Sequence, residues 1–265
     1  MKNGLRKIAS ATLLVFTLAA CGQRAQPTIA PVEPGASPAI PLPTAKPSDP
    51  CANEYYPVKN DATYTYASTG SPSGPYGYTS KITSVRADGF AIASRYKNIN
   101  ITQEWNCKPE GLVAIQLGPS DATSILAFEK FTDLKASNIS GIMLPAAVTP
   151  GMEWSYALDI QGTERVLPPD VPASMTGRVS ATYIAGEKES VTVPAGTFEA
   201  IAIEVSTVID FNVTEQGGVT VNLTVDSTYT VWYAPGVGWI KSSGFGHLSG
   251  QEYFETIVLS SYTLP

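Results

Sequence analysis

Hydrophobic and polar side chains alternate along much of the chain after residue 51, and a period of two is typical of half-buried β-strands. The longest alternation covers residues 219–233, where valine, leucine and tyrosine occupy most odd positions and polar residues stand between them. A strand of about 15 residues spans roughly 50 Å. Strands of that length usually coil or carry a bulge, so the pattern favours a strongly curved sheet.

Two stretches near the C-terminal end predict β-hairpins. Residues 191–205 alternate around a turn in which Pro194 cannot donate to a β-ladder and Gly196 tolerates a positive φ. Residues 231–242 repeat the scheme, with an Ala-Pro-Gly-Val-Gly bend at 234–238. These motifs specify a sheet and carry no catalytic group.

Helical patterns are scarce in this part of the chain. Residues 121–137 contain apolar residues at mixed spacing and could hold a helical turn or more. Residues 59–66 and 149–156 both place a turn before an aromatic-x-aromatic pair, which would fit two related halves. We therefore predict an all-β, mainly antiparallel domain over residues 51–265, folded as a strongly curved sheet or open, β-barrel-like half-barrel with little helix.

The first 20 residues have the order of a lipoprotein signal peptide. Three basic residues come first, residues 8–17 form a short apolar segment, and Leu-Ala-Ala-Cys at 18–21 forms a lipobox. The apolar segment is shorter than the roughly 20 residues of a transmembrane helix. We predict that Cys21 is lipidated and anchors a bacterial protein on the extracytoplasmic side of a membrane. The alternative is an ordinary cleaved signal peptide with an incidental cysteine.

Residues 21–50, which begin with the lipidated cysteine, have the composition of a tether. They contain eight prolines and almost no aromatic residues, so they cannot bury a core. Extended at about 3.1 Å per residue, they would reach at most roughly 90 Å. The folded domain is therefore predicted to begin near residue 51.

Charge narrows the possible partners. Removal of residues 1–20 takes away three basic residues and no acidic one, so the formal net charge changes from −6 to about −9. A surface of that sign argues against nucleic acid, whose binding depends on lysine and arginine. It also argues against electrostatic adhesion to anionic lipid, which leaves the acyl anchor to hold the protein.

Two cysteines remain once the lipidated one is set aside. Cys51 and Cys107 form an even pair in an exported, oxidising compartment, and a disulfide is the economical interpretation. Two free thiols are the alternative. A metal site is not expected, because the chain has one histidine.

Aromatic residues are numerous for a domain of this size. They are either the core and rims of a β-sheet or the walls of a ligand cavity, since concave sites are apolar and aromatic. The candidate ligand-binding residues are Tyr64, Tyr66, Trp154, Tyr156, Trp232 and Tyr233.

Several motifs in a fixed order resemble the TapB-like family of envelope proteins. They cover residues 56–66, 150–156, 193–198, 232–238 and 259–262, and the resemblance extends over nearly all of the chain after residue 51. Asn60, Asp61 and Tyr64 stand where the family tends to show glycine and tryptophan. The resemblance implies a fold similar to that of lipoprotein-carrier proteins, a curved antiparallel sheet around an apolar concavity, and implies no enzymatic activity.

Few residues in the sequence support a catalytic function. His247 is the only candidate base for a Ser-His-Asp hydrolase, and no Gly-x-Ser-x-Gly elbow precedes a helix. Glu204, Asp226 and Glu252 occupy the polar phase of their strands, where carboxylates are normally solvated. Calcium and zinc motifs are lacking, so we expect no enzyme, no cofactor and no metal.

These observations favour a lipid-anchored binding protein that holds a hydrophobic ligand or protein segment on a concave apolar sheet. The alternative is a structural or accessory envelope lipoprotein that acts through protein contacts and holds no ligand. A carrier should retain an open apolar cavity, whereas an accessory protein should have a packed interior.

Overall fold

The computed structural model describes residues 49–165, 173–214, 218–248 and 251–265. They form one antiparallel sheet of 13 strands and one α-helix, which confirms the predicted all-β, half-barrel fold. The signal peptide, Cys21 and most of the proline-rich tether lie outside the described residues and stay predictions. No helix within the described residues is long and apolar enough to span a membrane.

The elements follow one another with short connections through most of the chain. In chain order they are β1 (Thr63–Thr69), β2 (Tyr76–Arg86), β3 (Gly89–Tyr96), β4 (Ile99–Lys108), β5 (Gly111–Ala114), α1 (Ala122–Lys130), β6 (Phe131–Gly141), β7 (Leu144–Pro145), β8 (Glu153–Glu164), β9 (Ser174–Val193), β10 (Gly196–Thr214), β11 (Thr220–Ala234), β12 (Gly238–Leu248) and β13 (Gln251–Thr263).

The strand order is β6-β8-β9-β10-β11-β12-β13-β1-β2-β3-β4-β5-β7, so sequence neighbours are also sheet neighbours almost everywhere. The chain leaves this order after β5: α1 carries it to the opposite edge at β6, β7 returns it to the edge beside β5, and β8 then pairs with β6. The two arms of the sheet meet at the link between β6 and β7. Ile142 N donates to Ser155 O in β8, and Met143 N donates to Leu112 O in β5. The sheet is therefore curled until its edges are bridged at this point.

Local signals in the sequence account for the long hairpins. The β9–β10 turn has Gly196 at φ 143°, and the β11–β12 turn has Gly236 and Gly238 at φ 71° and 110°. Both hairpins lie where the turn residues predict them. The alternation over 219–233 becomes β11, and its register with β12 shifts between Trp232 and Tyr233. Such bulges increase local twist, which helps to curl the sheet.

One end of the half-barrel, the disulfide end, carries the N-terminal segment. Cys51 and Cys107 are bonded with an S–S distance of 2.05 Å, as predicted, and the alternative of two free thiols is wrong here. Tyr55 is 2% exposed, and the ring of Tyr56 stacks on Phe90 and Trp105 at 5.7 and 5.6 Å. Aromatic packing and a covalent bond thus close this end.

The other end, the helix end, is covered by α1. Asp121 caps the helix, since its Oδ1 accepts from Ser124 N at 2.8 Å and Ser124 Oγ accepts from Asp121 N at 3.1 Å. A helix of nine residues is marginal alone, so its stability comes from packing on the sheet. The prediction of a helical turn within 121–137 is confirmed for its first part, whereas the second part forms β6.

Candidate functional site

A cavity of about 210 Å³ lies between the concave face of the sheet and α1. A single water needs roughly 10–15 Å³ by the same kind of measure, whereas pockets for drug-sized ligands reach roughly 300–1,000 Å³. The cavity is therefore large for a packing defect and small for a bulky ligand. The interior of the half-barrel is therefore not fully packed.

A row of stacked aromatic rings forms one wall. Tyr66 is its centre, with ring centroids of Trp239, Tyr78 and Tyr64 at 4.6, 5.1 and 6.5 Å. Alternation on β1 and β2 places the three tyrosines on the concave face, and the Tyr66 hydroxyl donates to the main-chain oxygen of Trp239 in β12 at 3.0 Å. The wall is rigid because each ring is held by its neighbours.

The opposite wall comes from β8 and β9. Trp154 and Tyr183 are cross-strand neighbours whose rings stack at 5.2 Å, and the Tyr156 hydroxyl donates to Ala114 O on the other arm at 2.6 Å. Ala181 pairs with Tyr156 and lines the cavity with a side chain of one methyl group. Space in the half-barrel therefore depends on small residues between large aromatic ones.

The cavity wall carries no lysine or arginine among the described residues, and its one carboxyl belongs to Asp121. Burial raises the pKa of Tyr64 and of Tyr233 to about 12, so both hydroxyls stay protonated over the physiological range. The described wall thus offers no cationic side chain and is largely apolar.

Hydrogen bonding inside the cavity is uneven. Gln103 donates to Gln116 O at 3.0 Å, and the hydroxyls of Ser80 and Ser94 lie 2.7 Å apart. Three other wall residues have a buried polar atom without a hydrogen-bond partner in the described part of the chain, namely Tyr64 Oη, Trp239 Nε1 and Ser242 Oγ. These atoms are the unusual feature of the wall.

A buried carboxylate holds α1 to the sheet beside the cavity. Glu255 is fully buried, and its oxygens accept from Ser68 Oγ at 2.6 Å and from Ala122 N, at the start of α1, at 2.7 Å. Tyr229 Oη adds a contact at 3.3 Å. Desolvation by burial raises the pKa of Glu255, and the nearby carboxyl of Asp121 raises it further. The hydrogen bonds from Ser68 and Ala122 lower this pKa but do not cancel the effect of burial.

Five of the six candidate ligand-binding residues, Tyr64, Tyr66, Trp154, Tyr156 and Tyr233, line the cavity. Trp232 is the exception: it does not line the cavity, so its prediction as a ligand-binding residue is corrected here. Adjacent residues of a strand face opposite sides. Trp232 therefore lies on the convex face, where its Nε1 donates to Glu189 and Lys241 Nζ lies 4.7 Å from its ring.

The sequence analysis missed part of the site. Thr123, Ser124 and Ala127 of α1 line the cavity, and no periodic signal placed that helix over the sheet. Trp239 was not among the candidates, although it follows the glycine turn of a hairpin that was predicted. Ala181 could have been found from the odd phase that it shares with Val179 and Tyr183.

His247 lies away from the cavity. It forms a cross-strand row with Asp226 and Glu252, whose carboxylate oxygens are 2.9 Å from Nδ1 and 3.6 Å from Nε2. All three side chains are about half exposed, and the ring makes no hydrogen bond to a serine in the described chain. The arrangement is that of a surface polar row, and the expectation of no enzymatic activity stays a prediction.

Comparisons with known proteins agree with the fold. A family model described as DUF3108-like matches residues 177–248, from β9 to β12. The TapB-like resemblance is not the one matched and stays a prediction. No curated protein matches the chain.

Two solved structures are similar to the chain. An exported protein with a YmcC-like fold from Bacteroides fragilis is 11% identical, with a TM-score of 0.50 over 80% of this chain and 100% of that one. A protein described as a lipoprotein from Parabacteroides distasonis is 12% identical, with a TM-score of 0.45 over 80% and 99% of the two chains. At this identity the first likeness shows the fold alone.

Proposed function

We propose that this chain is a lipid-anchored, extracytoplasmic binding protein that holds one hydrophobic ligand inside its half-barrel. The observation that carries the proposal is the aromatic-walled cavity of about 210 Å³ under α1, which no lysine or arginine lines among the described residues. Affinity would come from apolar surface removed from water, at roughly 25 cal/mol per Å². The ligand contacts would be made by Tyr64, Tyr66, Trp154, Tyr156 and Tyr233.

The location rests on the lipobox that ends at Cys21 and on the disulfide between Cys51 and Cys107, which suits an oxidising compartment. The structural neighbour from Bacteroides fragilis is described as exported, which supports the same address. No catalytic step is part of the proposal.

A role through protein contacts is the second candidate, and one observation favours it. Phe245 and Phe254 form a cross-strand pair on the convex face, 4.8 Å apart, and are 51% and 47% exposed. Exposed apolar pairs of this kind can seat a partner, although two side chains make a smaller patch than stable interfaces use.

Native mass spectrometry of residues 51–265, exported by the native host and purified without detergent, tests the binding role. We expect a stoichiometric apolar adduct that organic solvent removes. A clean mass, together with no binding of a hydrophobic dye by the folded protein, would contradict the proposal and favour the protein-contact role.

A cavity-filling variant makes this test specific. Ala181→Phe should occupy the space between Tyr156 and the opposite wall and reduce dye binding at least tenfold, because filling a cavity excludes the ligand. Thr182→Phe is the matched control, since residue 182 is exposed on the other face of the same strand. Equal dye binding by the two folded variants would place the ligand elsewhere.

A further inference from the structure

The polar atoms of the cavity wall define the kind of ligand that the wall can complete. Tyr64 and Ser242 are 5% and 2% exposed, yet the hydroxyl of each lacks a hydrogen-bond partner among the described residues. Trp239 Nε1 is a third buried atom of this kind. A buried donor left without a partner costs free energy, so such atoms are rare in native proteins and call for an explanation.

Two of these residues belong to one neighbourhood. Trp239 and Tyr64 both stack against Tyr66, and Ser242 lies three residues after Trp239 on β12 and also lines the cavity. Gly238 directly precedes Trp239. A Cβ atom placed on Gly238 would lie 3.9 Å from the Tyr64 ring, which is ordinary van der Waals contact. The two donors are therefore held at the same wall of the cavity, near the disulfide end, by rings that cannot easily turn away.

The chemistry of these atoms restricts the partner. An indole N–H donates and does not accept, and a tyrosine or serine hydroxyl can donate as well. A group that satisfies all three must accept hydrogen bonds. An anionic group is disfavoured, because the described wall contains no lysine or arginine and does contain the carboxyl of Asp121.

We propose that the ligand is a neutral amphiphile whose hydrogen-bond-accepting group, an ester, amide or hydroxyl, contacts Tyr64, Trp239 and Ser242 while its hydrocarbon part lies against the aromatic wall. This inference rests on the proposed function and deepens it. The volume of about 210 Å³ fits one hydrocarbon chain of modest length rather than several. Burial of the accepting group among three fixed donors gives selectivity that apolar contact alone does not provide.

Single-atom deletions separate this subsite from the rest of the cavity. Tyr64→Phe and Ser242→Ala each remove an unpartnered hydroxyl. Tyr96→Phe is the matched control, because Tyr96 is buried, does not line the cavity, and its hydroxyl already donates to Glu129 Oε1. Binding of monodecanoylglycerol, decanoate and decane is measured by titration calorimetry or by displacement of a hydrophobic dye from the folded, soluble domain of residues 51–265.

We expect the wild-type protein to bind monodecanoylglycerol more tightly than decanoate. Tyr64→Phe and Ser242→Ala should each weaken monodecanoylglycerol binding by about three- to tenfold, as loss of one neutral hydrogen bond predicts, and leave decane binding unchanged. The unfolding midpoint of these variants without ligand should stay the same or rise. Tyr96→Phe should lower that midpoint and keep the preference for the neutral ester.

Two results would overturn the inference in different ways. If decane and monodecanoylglycerol bind and neither deletion changes their ratio, the hydrophobic cavity is a binding site but the polar subsite is not. The same conclusion follows if Tyr64→Phe lowers the unfolding midpoint as much as Tyr96→Phe does, because the Tyr64 hydroxyl would then have a structural partner. If no probe binds to any folded form, the proposed function fails with it.

Discussion

The two ends of the half-barrel are closed by different physical means. At the disulfide end, Cys51 is bonded to Cys107 and Tyr56 stacks on two aromatic rings, so the closure is covalent and apolar. At the helix end, the nine-residue α1 donates a hydrogen bond from Ala122 N to Glu255, whose side chain is fully buried. The first closure is insensitive to pH, whereas the second depends on a titratable group.

This difference indicates where the cavity opens first. Local opening requires little free energy where few apolar contacts are lost and where a short element is held mainly by polar contacts. α1 is such a short element: polar contacts at Glu255 and Glu129 join it to the sheet beside the apolar contacts of Ile125 and Phe128. We therefore expect the helix end to exchange with solvent more readily than the disulfide end, and the predictions below test this comparison.

Loss of the disulfide should have the largest effect. The bond closes a segment with a sequence separation of 56, and its replacement by two serines, Cys51→Ser with Cys107→Ser, should lower the free energy of unfolding by about 2–5 kcal/mol. Denaturant unfolding of residues 51–265 measures this difference. The wild-type protein with reducing agent throughout is the control, and it should approach the value of the double variant.

The same variant sharpens the comparison of the ends. Hydrogen exchange at Ala122 N, which is bonded to Glu255, should change little relative to the amides of the N-terminal segment, such as Ala62 N bonded to Lys59 O. If amide hydrogen exchange becomes faster by the same factor at both ends, the two ends open as one cooperative unit and the proposed difference between them is wrong.

Neutralisation of Glu255 should have the second largest effect on the free energy of unfolding, and the size of this effect depends on pH. Because burial raises its pKa, the folded protein keeps the proton to a higher pH than the unfolded chain does. The stability that this proton contributes is fully present below the pKa of Glu255 in the unfolded chain. It is lost as the pH rises through the higher pKa of Glu255 in the folded protein. Over that window the free energy of unfolding should fall by up to about 1.4 kcal/mol per pH unit.

Glu255→Gln stays neutral at every pH and should remove this part of the decline. The variant should have nearly the wild-type unfolding midpoint at low pH and a higher one above the folded pKa of Glu255. Asp121→Asn is the matched control, since burial also raises the pKa of Asp121 and asparagine caps helices well. An unfolding profile of Glu255→Gln that is parallel to the wild-type profile at all pH values would exclude Glu255 as the titrating group.

The sequence predicted the hairpins because their signals are local. A glycine that must adopt a positive φ, as Gly196 does, lies beside the alternating residues that it joins, and both can be read from a short window. The same alternation could have excluded Trp232, which stands in the polar phase of a strand whose odd positions face inward. The error arose because an aromatic side chain was treated as inward-facing whatever its phase.

The helix end could not be predicted in the same way. Glu255 shares the odd phase with Tyr253, Ile257 and Leu259, so a carboxylate among inward-facing residues was visible in the sequence. Its partner Ala122 is 133 positions away, and no window of sequence joins the two. Alternation in the sequence therefore predicts which side chains of a strand face inward. It does not predict that α1 covers the concave face, because that depends on a long-range contact.

The smallest effect should come from the surface ion pairs at the two ends. At the helix end, Lys97 Nζ lies 2.8 Å from Glu129 Oε1, which also accepts from the Tyr96 hydroxyl at 2.7 Å. At the disulfide end, Lys188 Nζ lies 3.8 Å from Glu54 Oε1. Both pairs are partly exposed, and exposed pairs contribute roughly 0.2–1 kcal/mol.

Lys97→Met should therefore lower the free energy of unfolding by about 0.5 kcal/mol, and Lys188→Met, the matched control, by less. Added salt should reduce the difference between each variant and the wild-type protein, because mobile ions screen exposed charges. Hydrogen exchange of α1 gives the more informative measurement, since Glu129 lies on that helix. Faster exchange of α1 in Lys97→Met but not in Lys188→Met would show that polar contacts hold the helix end locally. Equal exchange in both would mean that the apolar contacts of Ile125 and Phe128 hold α1 instead.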